Sequence, residues 1–422
     1  MRAVWLDRGL KIAVLLGLAA LCFGFARADP EDLRGYLAAG RAVLSRADIY
    51  EGLPPGVNTW PPFFSLFCIP LALLDRVSDP LLRYVWGGFN LAALLLALNL
   101  VSRAVYGKGI AHGGESPGFP IGFLRMFVPL FLTLPYIDSN IEHQQVSILI
   151  FVLVLAGLLL DRKGKPALGG IALGAAIAMK IMPAIFLFYW AYRRRRRAAV
   201  CGALATLGFS LSPMLAFGPL RFGHDAVLWF AIVRQGWGAG SLNLSLLAML
   251  DRILGHGFVP FVSPGVERLA FSGAPVVRIV WLVSLAAIGT LCLLAFRRRA
   301  EPGSRADCAE WSVVLLLSAI AGPVMWRHYL VVALLGNAVL WAAWLSDALS
   351  ARARRGVLAV LVLCFVMSLP VLPDSLGKPY IHRLEMSSIV TDAALLLIGA
   401  LLWLRFCVVA PADSPGHSHF IA

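Results

Sequence analysis

The sequence predicts an all-α fold, a polytopic transmembrane helical bundle of about 11–13 membrane segments with large outer loops. Three observations predict it. With 59% hydrophobic and 14% charged residues and a mean hydropathy of +0.80, the chain is too apolar for an ordinary water-soluble domain. Its apolar runs are long, Leu/Ala-rich and without alternating polarity, which favours helices over a closed barrel, since lipid offers no partner to a free backbone group. Its cations, part of a formal net charge of +14, cluster at the ends of those runs: Arg162-Lys163-Lys165, Arg193 to Arg197, Arg297-Arg298-Arg299 and Arg352-Arg354-Arg355. That is the pattern of inner loops and not of a nucleic-acid surface.

Residues 1–28 open with Arg2, Arg8 and Lys11 and end in Ala26-Arg27-Ala28, which fits either a first membrane helix or a cleavable leader. A polar island from Asp29 to Pro62 follows, carrying Asp32, Tyr36, Tyr50 and Asn58-Thr59-Trp60-Pro61-Pro62. Further apolar segments are read at 62–76, 80–102, 120–136, 145–160, 167–180, 182–192, 198–215, 275–296, 310–325, 327–346, 356–372 and 386–406. The pair 167–180 and 182–192 lies between two basic clusters, so the chain must rise and return there. It turns at Lys180-Ile181-Met182-Pro183, where proline removes a backbone donor. Lys180 is thereby placed at the outer side, with Trp326-Arg327-His328-Tyr329 and a long loop of about 216–274 that contains Trp229, Arg234, Trp237 and Asn243. Thirteen crossings starting inside would leave the five arginines outside, so one segment between 62 and 161 is expected either to be re-entrant or not to be a membrane segment. Asp138, Asn140, Glu142, His143 and Gln145 are assigned to the outer side, and the tail from Pro411 is read as disordered. The seven cysteines stand singly, which indicates neither a disulfide framework nor a zinc site.

Four outer segments therefore carry polar groups: Asp32 with Asp29 and Glu31, the group from Asn140 to Gln145, Lys180, and Trp326-Arg327-His328. A carboxylate facing cations suits transfer of a group from an anionic leaving group to a hydroxyl, the acid taking the proton and the cations meeting the charge on a departing phosphate. Each piece also has a plain structural reading. Asp32 could cap a helix, Lys180 could snorkel to a headgroup, Trp326 could anchor an interface, and Asn140 to Gln145 could bond helices together.

In order along the chain, Asp32-Leu33-Arg34-Gly35-Tyr36, Trp60-Pro61-Pro62, Asn140 to Ser147, Gly169 to Gly174 leading into Met179-Lys180-Ile181-Met182-Pro183, Asn243-Leu244-Ser245 and Trp326-Arg327-His328-Tyr329 resemble glycosyltransferase family 87. The family's usual patterns are D-F-x-x-Y, Y-P-P, Asn…Gly-Gln-Val-Asn, a Gly-rich helix ending in Lys-x-x-Pro, and Trp-x-His-His/Tyr. Here Leu33 replaces an aromatic, Trp60 stands where Tyr is common, Gln144 replaces Gly and Ser147 replaces Asn. The resemblance covers roughly residues 10–346 and implies a retained first helix and a GT-C membrane fold. Residues 1–346 would form the catalytic module, with one outer loop at 29–61 and another at about 216–274; residues 347–410 would be C-terminal membrane helices, and 411–422 a tail.

The resemblance further implies inverting transfer of a sugar, mannose first, from a polyprenyl-phosphate donor to a glycolipid or polysaccharide hydroxyl. The site would lie on the extracytoplasmic side of a bacterial plasma membrane. Carried residue by residue, Asp32 is the general base, Asp29 its fallback, and Lys180 and His328 meet the donor phosphate. Arg327 is added to that pair on charge and position, and Tyr36, Gln145, Asn243 and Trp326 are substrate contacts. No metal, cofactor or nucleic acid is expected; membrane lipid is the remaining partner. The competing expectation is a transporter or flippase of a lipid-linked intermediate, against which stand the lack of evident inverted repeats and the gathering of polar residues at one face.

Overall fold

The structure, a computed structural model, describes residues 2–24, 31–50, 59–110, 124–235, 238–240, 242–257, 269–346, 348–369 and 384–407. Asp29, Asn58, Trp237, the Ala26-Arg27-Ala28 site and the tail from Pro411 lie outside the described residues. Helices are the regular structure among those described: α1 Arg2–Gly24, α2 Glu31–Ser45, α3 Pro62–Val77, α4 Asp79–Tyr106, α5 Leu124–Glu142, α6 Ser147–Arg162, α7 Pro166–Met179, α8 Ile185–Tyr192, α9 Arg196–Leu211, α10 Pro213–Phe217, α11 Pro219–Gln235, α12 Leu246–Leu250, α13 Pro275–Phe296, α14 Arg305–Ile320, α15 Ala333–Leu345, α16 Ala351–Ser368 and α17 Ile389–Cys407. Among the described residues, five helical stretches are long and apolar enough to cross a membrane: Asp79–Tyr106, Arg196–Phe217, Pro275–Phe296, Arg327–Leu345 and Ile389–Phe406.

Two stretches read as outer loops contain helices. Within 29–61, α2 buries Leu33, Tyr36, Leu37 and Gly40 and exposes Arg34 and Arg41. That spacing of three and four residues is an amphipathic stripe, concealed in composition because the segment is polar on average. Within 216–274 lie α11 and α12, the latter capped by Ser245, whose Oγ accepts from the Ala248 amide at 3.1 Å.

The chain divides into two compact units, the division falling inside α1, α4 and α5. One comprises residues 11–97 and 137–236. Here α2 packs on α3, and α7 on both α6 and α9. Contacts are close because the facing residues are small. A Cβ on Gly40 would fall 2.9 Å from the Ala72 Cβ and closer still to the Cys68 carbonyl, and one on Gly170 would fall 2.6 Å from the Gly202 nitrogen. In lipid, where apolar surface gains little by leaving the tails, such backbone approach is what holds helices together. Gly170→Leu is expected to push α7 from α9 and to cost about 3 kcal/mol, the upper part of the range for overpacking. A thermal melt in detergent no lower than wild type would refute this packing.

The second unit comprises residues 1–10, 98–136 and 237–422. Helices α14 and α15 form its core, α17 packs on α14 and α16, and so the helices beyond residue 346 belong to the packing of this unit. Polar groups between its helices are paired: Arg405 Nε meets Glu310 Oε1 at 2.7 Å, and Asn337 Nδ2 donates to Thr133 Oγ1 at 2.9 Å.

Candidate active site

The first unit brings Asp32, Tyr36, Gln145 and Lys180 together from three stretches, the first of them more than a hundred residues before the other two. Asp32 is half-buried in the first turn of α2, where the helix N-terminus favours an anion. Its Oδ2 accepts from Gln145 Nε2 at 2.5 Å. The opposite end of that amide, Oε1, accepts from the Tyr36 hydroxyl at 3.2 Å. Tyr36 is fully buried, with Trp60, Phe64 and Trp86 set edge-on around its ring at centroid distances of 4.7, 4.9 and 5.8 Å.

The turn that presents Gln145 is pinned from several directions. Asn140 Nδ2 donates to the Gln145 carbonyl at 3.1 Å and faces Asn90 Oδ1 at 3.4 Å, while Trp86 Nε1 donates to the Gln144 carbonyl at 3.1 Å. Gln144 takes φ 53, the left-handed region that a glycine, usual at this place in the resembled pattern, adopts without strain. Asn90 and Trp86 carry no motif; the sequence signal for Asn90 was an amide in the apolar middle of a helix, α4.

Lys180 lies beyond the last residue of α7 in an extended conformation, φ −155 and ψ 113, ahead of Pro183. It is buried and does not snorkel: its Nζ donates to Ser147 Oγ at 3.3 Å, at the start of α6. Burial pushes its pKa down to about 7, opposed by the charge of Asp32. Ser147 therefore contacts the lysine at the position where the sequence departs from the usual Asn.

Trp326, Arg327, His328 and Asn243 belong to the second unit. His328 is buried, its ring stacked with Trp326 at 6.3 Å and edge-on to Tyr329 at 5.1 Å. Arg327 Nε stands 3.3 Å from Oε1 of the fully buried Glu385, a partner sequence reading missed because it falls in the stretch after 346 where no motif was recognised. Asn243 is committed to backbone. Its Nδ2 donates to the Gly238 and Pro323 carbonyls at 2.8 and 2.9 Å, and its Oδ1 accepts from the Ser245 and Met325 amides, both at 3.1 Å. Asn243 thus fixes the strand of chain that leads into Trp326. Beside it, buried Arg252 donates to the carbonyls of Ala239, Gly240 and Asn243 and to Ser388 Oγ.

Apolar helices, with a half-buried acid and a buried amide and lysine held at the ends of shorter ones, define a helical membrane protein with a polar site able to receive a hydroxyl and an anion. The sequence model of glycosyltransferase family 87 matches residues 58–323, more than half of the chain, and the chain belongs to that family. The matched residues include Gln145, Ser147, Lys180 and Asn243, while Asp32 precedes them and Trp326 to His328 follow. The chain is 28% identical over 315 residues to the polyprenol-phosphate-mannose-dependent alpha-(1-2)-phosphatidylinositol mannoside mannosyltransferase of Mycolicibacterium smegmatis, covering 71% of this chain and 66% of that protein. It is 27% identical over 282 residues to the corresponding phosphatidylinositol pentamannoside mannosyltransferase of Mycobacterium tuberculosis, covering 64% of this chain and 55% of that protein. The match thus spans less than two thirds of the length of either relative. Among solved structures, ArnT from Cupriavidus metallidurans bound to undecaprenyl phosphate aligns with a TM-score of 0.47 at 14% identity, over 96% of this chain and 78% of that one.

Proposed function

We propose that this protein transfers a hexose, mannose first, from a polyprenyl-phosphate donor to a hydroxyl of a glycolipid or polysaccharide acceptor, with inversion, at the extracytoplasmic face of a bacterial plasma membrane. The observation that carries the reading is the meeting of Asp32, Gln145 and Lys180 in one unit. Family membership and relatives named as polyprenol-phosphate-mannose-dependent mannosyltransferases support the donor.

In this reading the Asp32 carboxylate takes the proton of the acceptor hydroxyl, and the oxygen attacks the anomeric carbon. The bond from that carbon to the phosphate oxygen breaks, and polyprenyl phosphate departs carrying the added negative charge. A single displacement inverts the anomeric centre. Lys180 meets the phosphate, a contact that lowers the barrier only to the extent that it tightens as the bond breaks. His328 and Arg327 are proposed as further phosphate contacts and Trp326 as a substrate contact. A donor with a long apolar tail concentrates in the bilayer, so the protein need only place these groups at headgroup depth, and positioning is itself a large catalytic resource. The reading includes no metal ion or cofactor.

The test is transfer of radiolabelled mannose from polyprenyl-phosphate-mannose to a membrane lipid extract by the purified protein in nanodiscs. Its companion is Ser45→Cys, an exposed position at the end of α2, probed with an impermeant maleimide. Product formation and labelling of intact cells are expected. Labelling of inverted vesicles only would overturn the outer-face assignment, and no product from any polyprenyl-phosphate hexose would overturn the activity.

A further inference from the structure

Resting on the reading of Asp32 as the base, we infer that Tyr36 and Gln145 are positioning residues that hold and tune its carboxylate through a two-bond relay, and are not contacts to the sugar. The relay has one self-consistent direction. An ionised carboxylate can only accept, so Gln145 must turn its NH₂ toward Asp32 and its carbonyl oxygen toward Tyr36, and the phenol must then donate. Neither member is placed to meet a soluble ligand. Tyr36 is fully buried among three aromatic rings, and Gln145 is 4% exposed, with its backbone carbonyl held by Asn140.

The arrangement does two things for a base. It engages Oδ2 and so fixes the plane of the carboxyl group, and it stabilises the ionised form, the one that can take a proton. Among titratable groups, Lys180 at the end of α7 acts on Asp32 through its charge, and Tyr36, one turn along the same helix, reaches it through Gln145. The Lys180 charge favours the same ionised form, so cation and relay act together.

The test reads Asp32 directly, without turnover. Modification of Asp32 by a water-soluble carbodiimide in the presence of an amine is followed by mass spectrometry as a function of pH, in wild type, Tyr36→Phe and Gln145→Leu. Losing the amide donor should move the titration midpoint up by about one pH unit, the size of one hydrogen bond to a charged group. Tyr36→Phe, which keeps the ring and its packing, should move it in the same direction by less. The acid limb of kcat should follow, with KM for donor and acceptor unchanged. Midpoints equal to wild type in Tyr36→Phe and Gln145→Leu would overturn the relay, and so would a rise in KM with kcat unchanged. If Gln145→Leu does not fold, Tyr36→Phe alone decides. Asp32→Asn run in parallel separates the two readings: normal transfer by it removes the base while the labelling still decides the relay, and an inactive Asp32→Asn with unmoved midpoints removes the relay alone.

Discussion

Asp32→Asn is expected to lower transfer by about 10²- to 10⁴-fold, the span commonly lost with a general base, equivalent to roughly 3–5 kcal/mol of barrier. The substitution is nearly isosteric, and asparagine can still accept from Gln145 Nε2 through its side-chain oxygen, so the first turn of α2 and the packing of Tyr36 should survive. What is lost is the capacity to take a proton. The expected signature is an unchanged melt and unchanged KM for both substrates with a collapsed kcat. Turnover near wild type would take Asp32 out of the mechanism and return it to the role of an acid at a helix N-terminus. Asp32→Glu is informative beside it, because the added methylene moves the base relative to a fixed amide.

Lys180→Met is expected to raise the donor KM and lower kcat together by about 10²- to 10³-fold, as for removal of one preorganised group that stabilises developing charge, with the acceptor KM unmoved. Methionine has similar length and tolerates a buried apolar site, so the loss reports charge and not volume. The same lysine predicts a pH effect with a definite sign. Its pKa in the protein is lowered to about 7, so the free enzyme loses the cation as pH rises through that value. A bound phosphate would restore the proton, since an adjacent anion favours the charged form. Donor affinity should therefore be greatest below about pH 7 and fall by up to about tenfold per unit above it, one proton being taken up on binding. Donor affinity independent of pH from 6 to 9 in wild type would exclude Lys180 as the phosphate cation.

Much of this was legible along the chain. Apolar runs and basic clusters predicted the helices, and every segment read as apolar contains helix among its described residues. The proline after Lys180 ended α7 within one residue of the expected turn. Helix α2 was concealed in a stretch that averages as polar, because amphipathicity is a property of spacing and not of composition: it places Leu33, Tyr36, Leu37 and Gly40 inward among charged neighbours. The candidate site was legible as residue types but not as contacts. Tyr36 and Gln145 were read as touching substrate, and the structure shows them touching each other and, through Gln145, Asp32. Asn243, read the same way, spends its amide on four backbone groups.

The sequence alone determined that the chain is a helical membrane protein with few polar groups outside its apolar spans, since hydrocarbon admits only elements that satisfy their own backbone and every exception must be written as a visible charge. Tertiary structure decided which exceptions meet. Asp32 and Gln145 are 113 residues apart along the chain, and Lys180 and Ser147 are 33 apart. No local spacing encodes such pairings, which follow from small residues such as Gly40, Gly157, Gly169 and Gly170 letting helices approach until side chains at their ends can bond.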